Sequence, residues 1–374
     1  MTTPLKLALI RQRYTPFGGA ERFVSRAIDA LKTQGASITL LTRKWESGGD
    51  VLTCNPFYLG SLWRDWGFAR CACRTLARHH FDLVQSHERV SCCDIYRAGD
   101  GVHREWLAQR SRVLGPLRRL GIWLNPYHRY TLAAERRLFA SPQLKAIICN
   151  SRMVKAEIMR YFGVAENKLH VIYSGVDLEA FHPRLKDQHR QAVRTQLGIP
   201  EHATLFLFVG SGFERKGLAA ALRALPPAAY LAVVGHDRRA RDYARLAAQL
   251  GMADRVHFLG PQQDVKPFYG AADALVLPTL YDPFPNVALE ALACGLPVVT
   301  STQCGAAELL AHTGLVVDAL DTVALRAAMT TLLDKNHRAA LGEEARRLAS
   351  EYGMQAMADN LLRLYGELLP RAGL

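Results

Sequence analysis

Two carboxylates and two cations stand out as residues able to do chemistry. Asp282 and Glu290 are eight positions apart in the stretch LPTLYDPFPNVALEALACGLPVVT, residues 277–300. Arg215 and Lys216 lie in GSGFERKGL, residues 210–218, just after Gly210 and Gly212. Carboxylates accept hydrogen bonds from hydroxyl groups. Cations next to bare glycine backbone suit phosphate oxygens. Each pattern has a plainer reading: Glu290 as an acid favouring a helix N-terminus, Asp282 as an ordinary loop residue, and Arg215-Lys216 as common charges near a helix start. The 210–218 loop is not a Walker P-loop, because the required order of Gly, Lys and Ser or Thr fails.

The flanking residues say which elements must position these groups. Asp273 to Pro278 is an apolar run ending in proline and reads as a strand. Pro283 and Pro285 keep the Asp282 loop out of a helix. Asn286 reads as an N-cap, and Val287 to Ala293 as a short apolar helix with Glu290 in its first turn. Gly295 supplies a left-handed stop and Pro297 bars continuation before the strand from Val298. Thr204 to Val209 is a buried strand that feeds the 210–218 loop into a helix. Strand, loop and helix in this order place ligands at the carboxyl ends of parallel strands.

The first half opens similarly. Leu5 to Ile10 reads as a strand, Glu21 to Gln34 as a helix ended by Gly35, and Ile38 to Thr42 as a second strand, a βαβ opening. Gly18 and Gly19 precede that helix, where backbone can approach a ligand. Residues 43–80 carry only a basic, helix-like run from Arg64 to His80. Phe81 to Gln85 and Ile95 to Ala98 read as strands, with His87 and Asp100 just beyond their ends. Leu144 to Cys149 and Leu169 to Ile172 are further strands. At the other end, Met354, Met357, Leu361, Leu364 and Leu368 recur at helical spacing.

Composition narrows the class. The chain has 374 residues, 49% of them apolar, enough for two domains with separate cores. It has no run of about 18 uncharged apolar residues, and the run after Met1 is too short for a signal peptide, so a cytosolic protein is expected. Eight cysteines, at 54, 71, 73, 92, 93, 149, 294 and 304, fit no zinc pattern and are expected as free thiols, with Cys149 and Cys294 in the core. The net charge is +13. Residues 101–160 hold twelve Lys and Arg against Glu105, Glu135 and Glu157, a net +9, interleaved with Trp106, Trp123, Tyr127 and Tyr130. Such a surface suits an anionic membrane, a phosphorylated glycolipid or a nucleic acid, or is simply a solvated arginine-rich face.

Four stretches together resemble one family. An acid followed after seven residues by Glu, with the tail from Glu290 to Val299, is similar to the signature of retaining glycosyltransferases of family four, which have the GT-B fold. GSGFERKGL resembles that family's diphosphate loop, SGVDLEAF at 174–181 its domain junction, and PFGGAER its first loop. Asp282 replaces the usual Glu, and Ser174 the usual Asn. YTPFGGAER and GSGFERKG most resemble lipopolysaccharide-core sugar transferases of Gram-negative bacteria.

The resemblance implies an α/β protein of two Rossmann-like domains facing a cleft. Residues 1–178, completed by the helix at 352–374, would bind the acceptor, and 179–351 the nucleotide sugar. It implies Arg215 and Lys216 on the diphosphate, Glu290 on the ribose and Asp282 on the sugar ring. Gly18, Gly19, Gly210, Gly212, Asn286 and Val287 complete the donor site. Glu21, His87 and Asp100 would face the acceptor, with His87 and Asp100 also near the reacting centre. No metal or cofactor is expected. The donor would be a nucleotide sugar, with a UDP-sugar as first expectation; sugar, base, linkage and oligomeric state are left open. A phosphorylated glycolipid on the inner face of the inner membrane would be the acceptor, and no nucleic acid is expected as partner. Two other classes are a nucleotide-sugar epimerase of the same fold and a basic nucleic-acid-binding protein. The latter would explain the charge but not two carboxylates beside a phosphate loop. A dinucleotide-dependent oxidoreductase fits less well, since no G-x-G-x-x-G opens either half.

Overall fold

A computed structural model describes residues 5–12, 37–44, 50–310 and 313–369. It divides into two compact units, Met1–Tyr173 with Met357–Leu374, and Ser174–Ala356.

The first unit is built on a seven-stranded sheet. Its strands are β1 (Lys6–Ile10), β2 (Ser37–Thr42), β3 (Asp50–Thr53), β4 (Leu83–Ser86), β5 (Ile95–Arg97), β6 (Ala146–Cys149) and β7 (Leu169–Val171), in the order β3-β2-β1-β4-β5-β6-β7. Every pairing is parallel. Parallel strands covered on both faces read as continuous apolar runs, and β6 is buried at all four positions. The basic run in residues 43–80 forms a helix at Gly60–Leu76, four residues earlier than expected, and is preceded by β3. β3 is a half-exposed edge strand of four residues, too short to show a period. The last helix, Met354–Leu368, buries Met357, Leu361, Leu364 and Tyr365. The Tyr365 hydroxyl donates to Gln85 Oε1 on β4 at 2.6 Å.

The second unit carries a six-stranded parallel sheet. Its strands are β8 (Thr204–Val209), β9 (Ala229–Val234), β10 (Val256–Gly260), β11 (Ala274–Leu277), β12 (Val298–Ser301) and β13 (Gly314–Val317), in the order β10-β9-β8-β11-β12-β13. Chain order reverses direction beside β8, so the loops after β8 and β11 open side by side at the carboxyl ends of the strands. A buried ion pair holds the other end. Arg194, from the helix Leu185–Gln196, reaches Asp273 Oδ2 at 2.6 Å, and the same oxygen accepts from Leu205 N at 2.8 Å.

The cysteines differ from expectation. Cys54 pairs with Cys71 and Cys73 with Cys92, with Cα–Cα distances of 5.8 and 5.6 Å. Cys71 and Cys73 lie in the helix Gly60–Leu76, while Cys54 follows β3 and Cys92 follows β4. Packing of that helix on the sheet, which sequence spacing does not reveal, brings the partners within bonding reach. Cys93, Cys149, Cys294 and Cys304 are free and buried. Thiol titration of denatured, unreduced protein is therefore expected to find four thiols and, after reduction, eight. Eight in both samples would remove the pairing.

Candidate active site

The loop between β8 and the next long helix takes its shape from glycine. Gly210 and Gly212 have φ of 153° and 76°. Their own N–H groups are bonded within the protein: Gly210 N donates to Val234 O at 2.9 Å and Gly212 N to His236 O at 3.1 Å. The glycines thus bend the chain rather than offer donors. Asp237 Oδ2 accepts from Phe213 N at 2.7 Å and caps a single turn, Phe213–Lys216. Gly217 then breaks the chain with φ 78°, and the helix proper runs only over Leu218–Ala224. A Cβ on Gly217 would lie 1.8 Å from Pro278 O, so only glycine lets this loop meet the one after β11. The loop expected at 210–218 thus contains a single helical turn before the helix it feeds, and one turn carries only a small dipole.

That contact delivers the cations to the carboxylate. Arg215 O accepts from Thr279 Oγ1 and from Leu280 N, both at 2.8 Å, which ties the two loops together. Lys216 Nζ then lies 2.5 Å from Asp282 Oδ2, and Arg215 Nη1 lies 3.0 Å from the same oxygen. Asp282 is 5% exposed and Lys216 8%. Its backbone is fixed on both sides: Asp282 N donates to Gln303 O at 3.0 Å, and Gly305 N donates to Asp282 O at 2.8 Å. Burial alone would push the Asp282 carboxyl up, but Lys216 and Arg215 outweigh it and hold the group below the usual carboxylate range. One carboxylate against two cations leaves one positive charge in excess at the strand ends.

Glu290 stands differently from expectation. Pro285 takes the N-cap position and Asn286 is the first helical residue, so Glu290 falls in the second turn of the helix Asn286–Ala293. There Glu290 is buried and its Oε2 accepts from the Tyr269 hydroxyl at 2.9 Å. Val287 packs against the apolar core of this unit. The sequence gives no sign of Tyr269, which lies in a separate helix, Lys266–Ala271. Asp237 could have been found, since it follows β9 as Arg215 follows β8.

In the first unit, Gly18, Gly19 and Glu21 lie outside the described residues. His87 is buried, with Nε2 3.1 Å from Gln85 Nε2, and its neighbour Gln85 is held by Tyr365. Burial, aided by Arg97 and Arg11, pushes the His87 imidazole well below its ordinary range, so it is neutral at pH 7. Asp100 is the opposite case, with a side chain 65% exposed and Arg89 Nη1 3.9 Å away. Glu88 was not singled out by sequence. Its Oε1 accepts from Gln12 N at 3.0 Å, and burial raises its carboxyl to about 7 despite Arg11.

The family described as "Glycosyl transferases group 1" matches residues 189–348, and "Glycosyltransferase Family 4" matches 17–180. D-inositol 3-phosphate glycosyltransferase of Salinispora arenicola is 30% identical over 325 residues, covering 79% of this chain and 71% of the relative. The chain belongs to these glycosyltransferases. Lipopolysaccharide glucosyltransferase WaaG of Escherichia coli is 27% identical over 316 residues, 82% of each protein. A crystal structure of WaaG, "a glycosyltransferase involved in lipopolysaccharide biosynthesis", superposes with a TM-score of 0.82 at 25% identity, over 96% of this chain and 99% of that one. Anabaena Alr3699/HepE, crystallised with UDP and glucose, matches at a TM-score of 0.72 and 20% identity, over 97% of this chain and 99% of its own. The two parallel α/β units of this glycosyltransferase are thus the two Rossmann-like halves of a GT-B enzyme. Among the described residues, no three His, Cys, Asp or Glu side chains converge as a metal site.

Proposed function

We propose that this glycosyltransferase moves a sugar, with retention, from a nucleotide sugar to a phosphorylated glycolipid. The observation that carries the reading is the Lys216–Asp282–Arg215 cluster at the carboxyl ends of β8 and β11. Its excess positive charge suits a diphosphate. As the bond from anomeric carbon to phosphate oxygen breaks, charge grows on the departing diphosphate, and fixed cations in a half-dry site stabilise it without rearranging. The acceptor hydroxyl attacks the same face, and the leaving phosphate oxygen takes its proton. Glu290 is assigned to the ribose, with the Tyr269 hydroxyl on its Oε2 holding the carboxylate in place. His87, Asp100 and Glu21 are assigned to the acceptor. A thermal-shift panel of UDP-, GDP- and ADP-sugars tests the donor, because a ligand bound by the native state raises apparent stability. A shift with UDP-glucose and retained anomeric configuration in the product support the reading. No shift with any nucleotide sugar, or an inverted product, ends it.

The acceptor class rests on the basic segment. The helix Pro116–Leu124 buries only Ile122. Leu117 is 86% and Trp123 80% exposed, with Leu120 and Leu124 also exposed and Arg118 and Arg119 between them. An apolar row edged by arginine is the composition of a helix that lies in a lipid interface. No described helix is long and apolar enough to cross a membrane. Each basic side chain near an anionic surface adds about 1 kcal/mol, so a few of them give weak, salt-sensitive adsorption. Binding to anionic but not zwitterionic vesicles is expected, lost in Leu117→Ser/Trp123→Ser and weakened in Arg118→Glu/Arg119→Glu, with UDP-sugar binding unchanged. Preference for RNA over vesicles in direct competition would defeat the membrane assignment.

A further inference from the structure

The second unit has another cavity, of about 970 Å³, at the opposite end of its sheet from Asp282. Its walls include Glu201 and His202 before β8, Asp273 before β11 and Gly295 before β12. That volume lies within the range of pockets that hold small ligands. Five cations line it, Lys186, Arg190, Lys335, Arg338 and Arg346, against three carboxylates, Glu201, Asp273 and Glu343.

The distribution of partners matters more than the count. Arg190 is matched by Glu201 at 2.5 Å and Asp273 at 3.1 Å. Among the described residues the other four cations form no ion pair. Arg338 is held by Nη1 alone, which donates to Leu332 O at 2.6 Å, Leu333 O at 2.9 Å and Thr204 Oγ1 at 3.1 Å. Arg346 is likewise held by Nη1, on Ala293 O at 2.8 Å and Phe181 O at 3.1 Å. Carbonyl oxygens anchor both guanidiniums without cancelling their charge. Among the described residues the Nε and Nη2 of each make no hydrogen bond to the protein, and that edge is the fork that takes an oxyanion in two parallel bonds. The two arginines lie eight residues apart on one face of the helix Lys335–Ser350, about 12 Å along its axis. Gly342 lies between them, where a Cβ would come within 2.5 Å of Gly295 O, so the helix sits close against the Gly295 turn.

We propose that this cavity binds a small phosphorylated metabolite with two oxyanionic groups, at a site separate from the sugar donor's. One group rests on the fork of Arg338 with Lys335, the other on Arg346. Lys186 adds charge at the rim. Glu201 and Asp273 are engaged by Arg190, which leaves Glu343 as the remaining carboxylate of the wall.

Calorimetry with a hexose 1,6-bisphosphate, on the whole protein saturated with UDP, tests the site. One equivalent is expected to bind, and to bind equally well in Lys216→Ala, which removes a cation of the donor site only. Lys186→Gln/Lys335→Gln alters two exposed side chains without side-chain hydrogen bonds among the described residues, so folding is not at risk. It should weaken binding about tenfold, as loss of two charged contacts predicts. Arg346→Lys keeps the charge but loses the fork and should weaken binding too. No binding by wild type at millimolar ligand, loss of binding in Lys216→Ala, or indifference to the lysine pair would each overturn the proposal.

Discussion

Lys216→Ala is expected to lower turnover at saturating UDP-sugar by about 30- to 1,000-fold. The range corresponds to about 2–4 kcal/mol of transition-state stabilisation, the usual cost of deleting one preorganised group that faces developing charge. Lys216 is nearly buried and held by Asp282 at 2.5 Å, so its ammonium is oriented before any ligand arrives. Lys216→Arg restores charge but not length. It should recover part of the rate, because a guanidinium cannot occupy the same point beside Asp282. The loss must be separated from unfolding, since removing Lys216 leaves a buried carboxylate with Arg215 as its remaining partner. The check is kcat at a temperature well below the melting point of each variant. Wild-type turnover in folded Lys216→Ala would remove Lys216 from the chemistry.

How far these features could be read from sequence varied with their physical origin. The strands of the second sheet were legible because parallel, doubly covered strands are continuous apolar runs: TLFLFV is buried at all six positions. The Gly295 stop was legible because its left-handed φ of 72° is a glycine signature. The Asp282 loop was legible as a loop, but its carboxylate's partners were not. The salt bridges to Arg215 and Lys216 span 67 and 66 residues and depend on Gly217 fitting beneath Pro278 O, a steric fact without a sequence period. Asn286 was read as an N-cap on residue type, yet proline at 285 already supplies the extended entry, and Asn286 falls inside the helix. That shift of one residue moves Glu290 into the second turn. β3 and the cysteine pairs were hidden for a related reason: both depend on how the helix Gly60–Leu76 meets the sheet.

Asp282→Asn is expected to weaken UDP and UDP-glucose together, each by tenfold or more. The resemblance to family-four enzymes places this carboxylate on the sugar ring, in which case only the sugar-bearing ligand should suffer. The geometry favours an action through the cations instead. Asp282 Oδ2 is shared by Lys216 and Arg215, so the neutral amide releases both from a fixed position and leaves two cations in a site built for a net charge of one. Breaking a buried ion pair from one side costs about 3–5 kcal/mol, which also sets the expected loss of stability. Its pH dependence has a definite sign. The folded carboxyl is held below its unfolded value, near 3.9 for Asp. Its stabilising contribution is therefore complete above that value and lost as pH falls through the folded one. The stability gap between wild type and Asp282→Asn should be constant from about pH 7 to pH 5 and narrow below about pH 4, measured by urea unfolding. Calorimetry with both ligands decides the role. If UDP binds Asp282→Asn as it binds wild type while UDP-glucose does not, the carboxylate acts on the sugar directly, and the cations hold their places without it.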